Sequence, residues 1–82
     1  MNALNTIKAI SDLSRVRILN ILAKGEFTVQ ELTEALGSGQ STTSHHLKIL
    51  QTAEVIDARR SGPWSLYGIA DRPAAQFARN IL

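Results

Sequence analysis

The sequence predicts a small, mainly α-helical domain in which a single β-hairpin precedes the last helix. Three observations support this fold class. Apolar residues recur at helical spacing in the first part of the chain, and the period changes to strand-like alternation between residues 55 and 69. From Ala74 to Leu82 the apolar residues again follow a helical stripe, which predicts a closing helix.

The composition is that of one folded domain. The chain has 82 residues, of which 44% are apolar and 20% charged, and we expect residues 1–82 to form a single unit with a thin core. It contains no cysteine, which excludes disulfides and thiolate metal sites. No apolar stretch is long enough to span a membrane, and no secretory leader opens the chain. These features predict a cytoplasmic protein with no membrane partner.

The first two helices are predicted from short apolar stripes. One covers residues 2–10, and the next begins at Ser14, a residue type that caps helix N-termini well. The residues expected to carry these stripes are Leu4, Ile7 and Ile10 in the first helix and Val16, Ile18, Leu19 and Leu22 in the second.

Two further helices follow, separated by a short turn. Thr28 and Glu31 have the spacing of a capping box, which predicts a third helix over residues 29–36. The glycine-rich segment 37–39 then ends it, and a fourth helix follows over residues 40–53. Two short helices joined in this way are typical of a helix-turn-helix, whose second helix enters the DNA major groove.

The hairpin turns this arrangement into a winged helix-turn-helix. Residues 55–60 and 65–69 are predicted strands, joined by a tight turn at 61–64. Asp71 is expected to cap the last helix, with Pro73 in its first turn. The predicted element order is therefore α-α-α-α-β-β-α.

The fourth helix has one apolar edge and one wide polar face. Its apolar edge consists of Thr43, Leu47 and Leu50, and short side chains cover the opposite side. Such side chains let the helix backbone come close to the base edges of DNA, and the absence of any acid favours a phosphate-facing surface. We expect this face to read the major groove of double-stranded DNA through Gln40, Ser41, Thr42, Ser44 and His45.

Three basic residues are expected to hold phosphates beside that face. Lys48 is the only charged residue between Gln40 and Gln51, and Arg59 and Arg60 lie beside the turn of the hairpin. The alternative for the two arginines is a solvated charge pair that protects an edge strand.

Neither histidine is expected to serve catalysis or metal binding. Adjacent helical residues point about 100° apart, so His45 and His46 chelate one ion poorly. Ser41 and His45 have the spacing of a nucleophile and its base, but the sequence offers no third orienting group and no oxyanion hole, and we predict no enzymatic activity. His46 lies at the edge of the apolar side, which predicts a packed, hydrogen-bonded histidine.

Three other side chains leave two interpretations open. Arg15 and Arg17 either contact phosphate or decorate the surface. Trp64, at the hairpin turn, either braces the wing against the domain, which we favour, or is an exposed contact for a partner or effector.

Four segments between residues 10 and 69 form a recognisable pattern: Ile10-Ser-Asp-Leu-Ser-Arg-Val-Arg-Ile-Leu19, Glu31-Leu32 with Ala35-Leu36-Gly37, Gln40-Ser-Thr-Thr-Ser-His-His-Leu-Lys-Ile-Leu50, and Arg60-Ser-Gly62 with Tyr67. In their order and spacing they resemble the ArsR-type family of winged-helix transcriptional repressors. The resemblance implies a homodimer that binds an inverted-repeat operator and dissociates when an effector binds. The first and last helices build the dimer interface in that family, and we expect Leu4, Ile7, Phe77, Ile81 and Leu82 to serve this purpose.

The chain departs from the family at its metal positions. Thr28, Val29 and Gln30 stand where metal-sensing members have Cys-Val-Cys, and residues 72–82 contain neither histidine nor acid. We therefore expect no metal site and no cofactor, and the effector is unknown.

Three more departures affect DNA binding. Gly39 replaces the usual serine cap of the recognition helix, His45 an arginine, and Pro63 a basic wing residue. They predict modest affinity with more pH dependence than usual, because an exposed histidine titrates near neutrality.

Three alternatives concern the chain as a whole. The apolar stripe still continues at Leu82, so the domain is alternatively the N-terminal part of a longer protein, such as a methyltransferase. A second is a protein-interaction winged helix without DNA binding. A third is that the last helix folds back onto its own core without forming a dimer.

Overall fold

The computed structural model describes residues 1–82 and has the predicted element order. Five helices and one antiparallel hairpin follow one another along the chain. Their bounds are α1 Ala3–Ile10, α2 Leu13–Leu22, α3 Val29–Leu36, α4 Gln40–Thr52, β1 Ile56–Ser61, β2 Trp64–Ile69 and α5 Pro73–Ile81.

Two of the predicted helix caps are wrong. The N-cap of α2 is Asp12, whose carboxylate accepts a hydrogen bond from the Arg15 backbone N–H at 3.1 Å, and Ser14 lies inside the helix. Asp is as good a cap as Ser, so local preference alone did not separate the two positions. The N-cap of α5 is Arg72, without a side-chain cap, and Asp71 precedes it.

The capping box at α3 is confirmed. The Thr28 hydroxyl accepts from the Glu31 N–H at 3.1 Å, and the Glu31 carboxylate accepts from the Thr28 N–H at 2.9 Å. At the other end, Gly37 adopts φ +69°, a left-handed conformation that glycine reaches without strain, and closes the helix. Local interactions therefore define both ends of α3, and Gly37 begins the turn into α4.

One hydrophobic core connects the helices to the base of the hairpin. Thr43, Leu47 and Leu50 of α4 are buried as predicted, with exposures of 1% or less. They meet a cluster contributed by the other elements, whose fully or nearly fully buried members are Ala9, Ile10, Ile18, Leu19, Leu22, Leu32, Val55, Ile56 and Ala78. α4 is thus held on its inner side, and its outer side is free.

The hairpin is tighter than predicted and is docked to the helices by backbone pairing. Ser61 pairs with Trp64, so the turn contains only Gly62 and Pro63. Phe27, just before α3, exchanges two backbone hydrogen bonds with Tyr67 of β2, at 2.8 and 3.0 Å. This bridge, which the sequence did not predict, fixes the wing relative to the helix-turn-helix.

Candidate nucleic-acid interface

The outer face of α4 carries the predicted readout residues together. The six predicted polar residues are all exposed, and Ser41, His45 and Lys48 lie opposite the buried edge of the helix. The six residues are Gln40, Ser41, Thr42, Ser44, His45 and Lys48. No carboxylate belongs to α4, and Lys48 is its only basic residue other than histidine. The N-cap, Gly39, provides no side-chain hydrogen bond, so the first N–H groups of α4 remain free for an anion.

Partly buried hydrogen bonds fix the inner side of α4. The Thr43 hydroxyl donates to the Gly39 carbonyl at 3.2 Å. His46, with a side chain only 13% exposed, places Nδ1 3.0 Å from a guanidinium nitrogen of Arg15. A guanidinium can only donate, so Nδ1 must accept and a neutral His46 carries its proton on Nε2. The predicted packed, hydrogen-bonded histidine is confirmed.

Arg15 ties three helices together. Besides His46 on α4, its guanidinium donates to the backbone carbonyls of Ala9 and Lys8 at the end of α1. The backbone N–H of Arg15 also lowers the pKa of Asp12, because its hydrogen bond stabilises the ionised carboxylate. Arg15 therefore has a structural role that neither of its two predicted interpretations included, whereas Arg17 is exposed.

The two wing arginines differ in their surroundings. Arg59 donates two hydrogen bonds to the Glu26 carboxylate, both at 2.8 Å, whereas Arg60 is exposed and forms no salt bridge. The bond to Arg59 lowers the pKa of Glu26, and the bond to Glu26 raises the pKa of Arg59. Each partner is thus held in its charged form. The sequence did not predict this pair, whose members lie 33 positions apart.

Trp64 stands at the end of the wing with most of its ring exposed. Its exposed fraction is 56%, although it borders a groove shared with Thr28, Glu31 and Glu34. The structure therefore favours the second interpretation of Trp64, an exposed contact residue, over a brace.

The predicted dimer residues lie on two helices that pack side by side. α1 contacts α5, and four apolar side chains on these helices remain between 42% and 59% exposed: Leu4, Ile7, Ile81 and Leu82. Phe77 is half-buried beside them. Ala74, Ala75 and Ala78 cover the inner side of α5, so the larger apolar residues of this helix are turned outward.

No group of three or more histidine, cysteine, aspartate or glutamate side chains is arranged to hold a metal ion. None of the helices has the length and apolar character needed to cross a membrane.

Comparison with known proteins places the chain among bacterial regulators. Residues 12–58 match the family described as "Bacterial regulatory protein, arsR family". The transcriptional repressor SdpR of Bacillus subtilis is 40% identical over 65 residues, which cover 79% of this chain and 72% of the repressor.

Two solved structures share the whole fold. The transcriptional repressor BigR of Xylella fastidiosa superposes with a TM-score of 0.84 at 31% identity, over 95% of this chain and 77% of the other. A homodimeric winged helix-turn-helix DNA-binding domain from Mycobacterium bovis, solved by NMR, gives a TM-score of 0.85 at 31% identity, over 95% and 72% of the two chains.

Proposed function

The chain belongs to the arsR family of bacterial regulatory proteins, and on this premise we propose that it is a homodimeric, sequence-specific DNA-binding repressor of transcription. The observation that carries the proposal is the exposed, acid-free outer face of α4. The opposite edge of the same helix is buried in the core, which fixes the orientation of this face. The cytoplasm is the compartment that follows, because the protein must reach chromosomal DNA there.

The readout residues fall into two groups by their chemistry. Gln40, in the first turn of α4, can pair bidentately with adenine, and the free N–H groups beside it suit a phosphate. Ser41, Ser44 and His45 offer hydrogen bonds to base edges, and the methyl group of Thr42 suits a thymine methyl. The short side chains allow α4 to approach closely, which is the feature that distinguishes this face from an ordinary solvated one.

Phosphate contacts come from residues outside the base-reading set. Lys48 and Arg60 are exposed and free of salt bridges, so they are available to DNA. Two such contacts per protomer make four per dimer, for which the logarithm of the binding constant falls with the logarithm of salt concentration with a slope of about −3.6. Arg59 joins them only when it exchanges Glu26 for a phosphate.

The dimer places two recognition helices on one face of DNA. The apolar face of α1 and α5 is the part of the surface that pairing would bury, and the homodimeric relative supports this assignment. A two-fold dimer of this fold reads an inverted repeat with half-sites about one helical turn apart. An effector then releases the repressor from its operator. The residues that bind this effector do not include cysteine, because the chain contains none.

Two substitutions test the division between base and phosphate contacts. Thr42→Ala should relax base preference, because it removes a contact to a base edge. Arg60→Ala should weaken binding to all sequences alike and flatten the salt slope by about 1.8 per dimer. The measurement is fluorescence anisotropy of labelled duplexes that carry the operator or a scrambled sequence. The assignment is rejected if both variants lose affinity uniformly across sequences.

A further inference from the structure

We propose that Lys8, which faces Lys48 across a groove between α1 and α4, binds a backbone phosphate of DNA next to the one that Lys48 contacts. This inference rests on the proposed function and extends its interface to α1, a helix that otherwise serves the core and the dimer.

The groove is open, its lining surface is mostly apolar, and no carboxylate belongs to it. It encloses about 450 Å³, and α1 provides Asn5 and Lys8 on one side while α4 provides Lys48 and Thr52 on the other. Ala9, Ile49 and Ala53 form the apolar part of its wall, and Arg15 is the remaining member of the lining. An anion that enters therefore meets three cationic side chains and no acid.

Both lysines are free to bind it. Each is exposed, and neither takes part in a salt bridge. The two acids closest in sequence to the lining are already engaged, since Asp12 caps α2 and Glu54 accepts a hydrogen bond from Arg72 at 2.9 Å. Arg15 adds positive charge, but its guanidinium already donates hydrogen bonds to backbone carbonyls and to His46. The lysines are therefore the groups that would contact phosphate.

The position of the groove along α4 suits the phosphate wall of the major groove. Lys48 lies eight residues after Gln40, which at 1.5 Å per residue is about 12 Å along the helix. The major groove is itself about 12 Å wide, so with Gln40 at one side of it Lys48 is placed to reach the sugar–phosphate backbone. Lys48 and Thr52 continue the exposed face of α4 directly into the groove, and Lys8 faces them from α1. DNA is therefore the occupant that continuity and charge favour.

A matched pair of variants tests the inference. Lys8→Gln removes the proposed contact, and Lys24→Gln removes the same charge from a lysine that lies beyond α2, outside the groove. The binding constant is measured between about 50 and 200 mM salt, on operator and scrambled duplexes. Lys8→Gln should flatten the salt slope by about 1.8 per dimer, so that the wild type loses about twelvefold more affinity than the variant over this range. Lys24→Gln should keep the wild-type slope, and Lys8→Arg should restore it.

The outcomes separate the inference from the proposed function. If the wild type shows no DNA binding, the proposed function fails and the inference fails with it. If the wild type binds and Lys8→Gln keeps its slope, or matches Lys24→Gln, the inference alone is overturned. Sedimentation of each variant checks that dimers persist. If Lys8→Gln loses affinity while its salt slope stays unchanged, Lys8 acts through dimer assembly and the inference is overturned.

Discussion

Replacement of Glu26 by glutamine should strengthen DNA binding. In the structure the Arg59 guanidinium donates two hydrogen bonds of 2.8 Å to the Glu26 carboxylate. The neighbouring Arg60 on the same wing is exposed. The side chains are 59% exposed for Arg59 and 41% exposed for Glu26, so the pair is in contact with water, where such pairs contribute little to folding. Glu26→Gln should therefore leave the fold intact and release Arg59 for a phosphate.

The expected magnitude follows from the number of phosphates that are added. One further contact per protomer is two per dimer, which steepens the salt slope by about 1.8. Glu26→Gln also removes a negative charge near the interface, which strengthens binding without a new contact. The slope separates the two effects, because only a phosphate contact displaces a condensed counterion.

The assay compares three variants by anisotropy across a salt series. Glu34→Gln is the matched control, since Glu34 is an exposed glutamate of α3 that forms no salt bridge. The double variant Glu26→Gln/Arg59→Gln tests whether the gain depends on the released arginine. We expect the steeper slope for Glu26→Gln alone. An equal slope for Glu26→Gln and Glu34→Gln would refute the reasoning that Glu26 holds Arg59 away from DNA.

Three further predictions concern stability and assembly. Leu50→Ala should lower the free energy of unfolding by about 2–5 kcal/mol in a urea titration, because Leu50 is fully buried in the core; an unchanged midpoint would contradict that packing. The Asp12 carboxylate has a pKa below its ordinary 3.8, so the stability that it contributes is present above that pH and is lost as the pH falls through the lowered pKa. In urea titrations the wild type should therefore lose its stability advantage over Asp12→Asn below about pH 4. A stability difference that does not change with pH would refute the assignment. Ile81→Asp should convert the dimer to monomer in sedimentation velocity, because Ile81 is 51% exposed on the apolar face, and a dimer that persists would place the interface elsewhere.

Local chemistry explains the parts of the fold that the sequence predicts well. The capping box and the left-handed Gly37 involve residues a few positions apart, so the sequence alone predicts α3 and the turn that follows it. The sequence also predicts the buried edge of α4, because Thr43, Leu47 and Leu50 share one side of any helix. The start of α2 was misplaced because Asp12 and Ser14 are equivalent candidates until the packing of Leu13–Leu22 is known.

Long-range partners account for what the sequence could not reveal. Arg15 and His46 are 31 positions apart, and Arg59 and Glu26 are 33 apart, so no spacing rule connects them. The same applies to Arg72, which pairs with Glu54 and Asp57 and ties the start of α5 to the hairpin. In each case the residue type predicted a charge, and only the fold determined whether that charge remains free for DNA. Lys48 and Arg60 remain free, whereas Arg15 and Arg72 do not.

The most direct test of the central claim is capture of fragmented genomic DNA on the purified protein at moderate salt, followed by sequencing of the retained fragments. A dimeric, sequence-specific repressor should enrich an inverted repeat with half-sites about one helical turn apart. Thr42→Ala should weaken that enrichment and still retain DNA. Uniform, salt-sensitive recovery from wild type would contradict sequence-specific repression, and no recovery at all would contradict DNA binding.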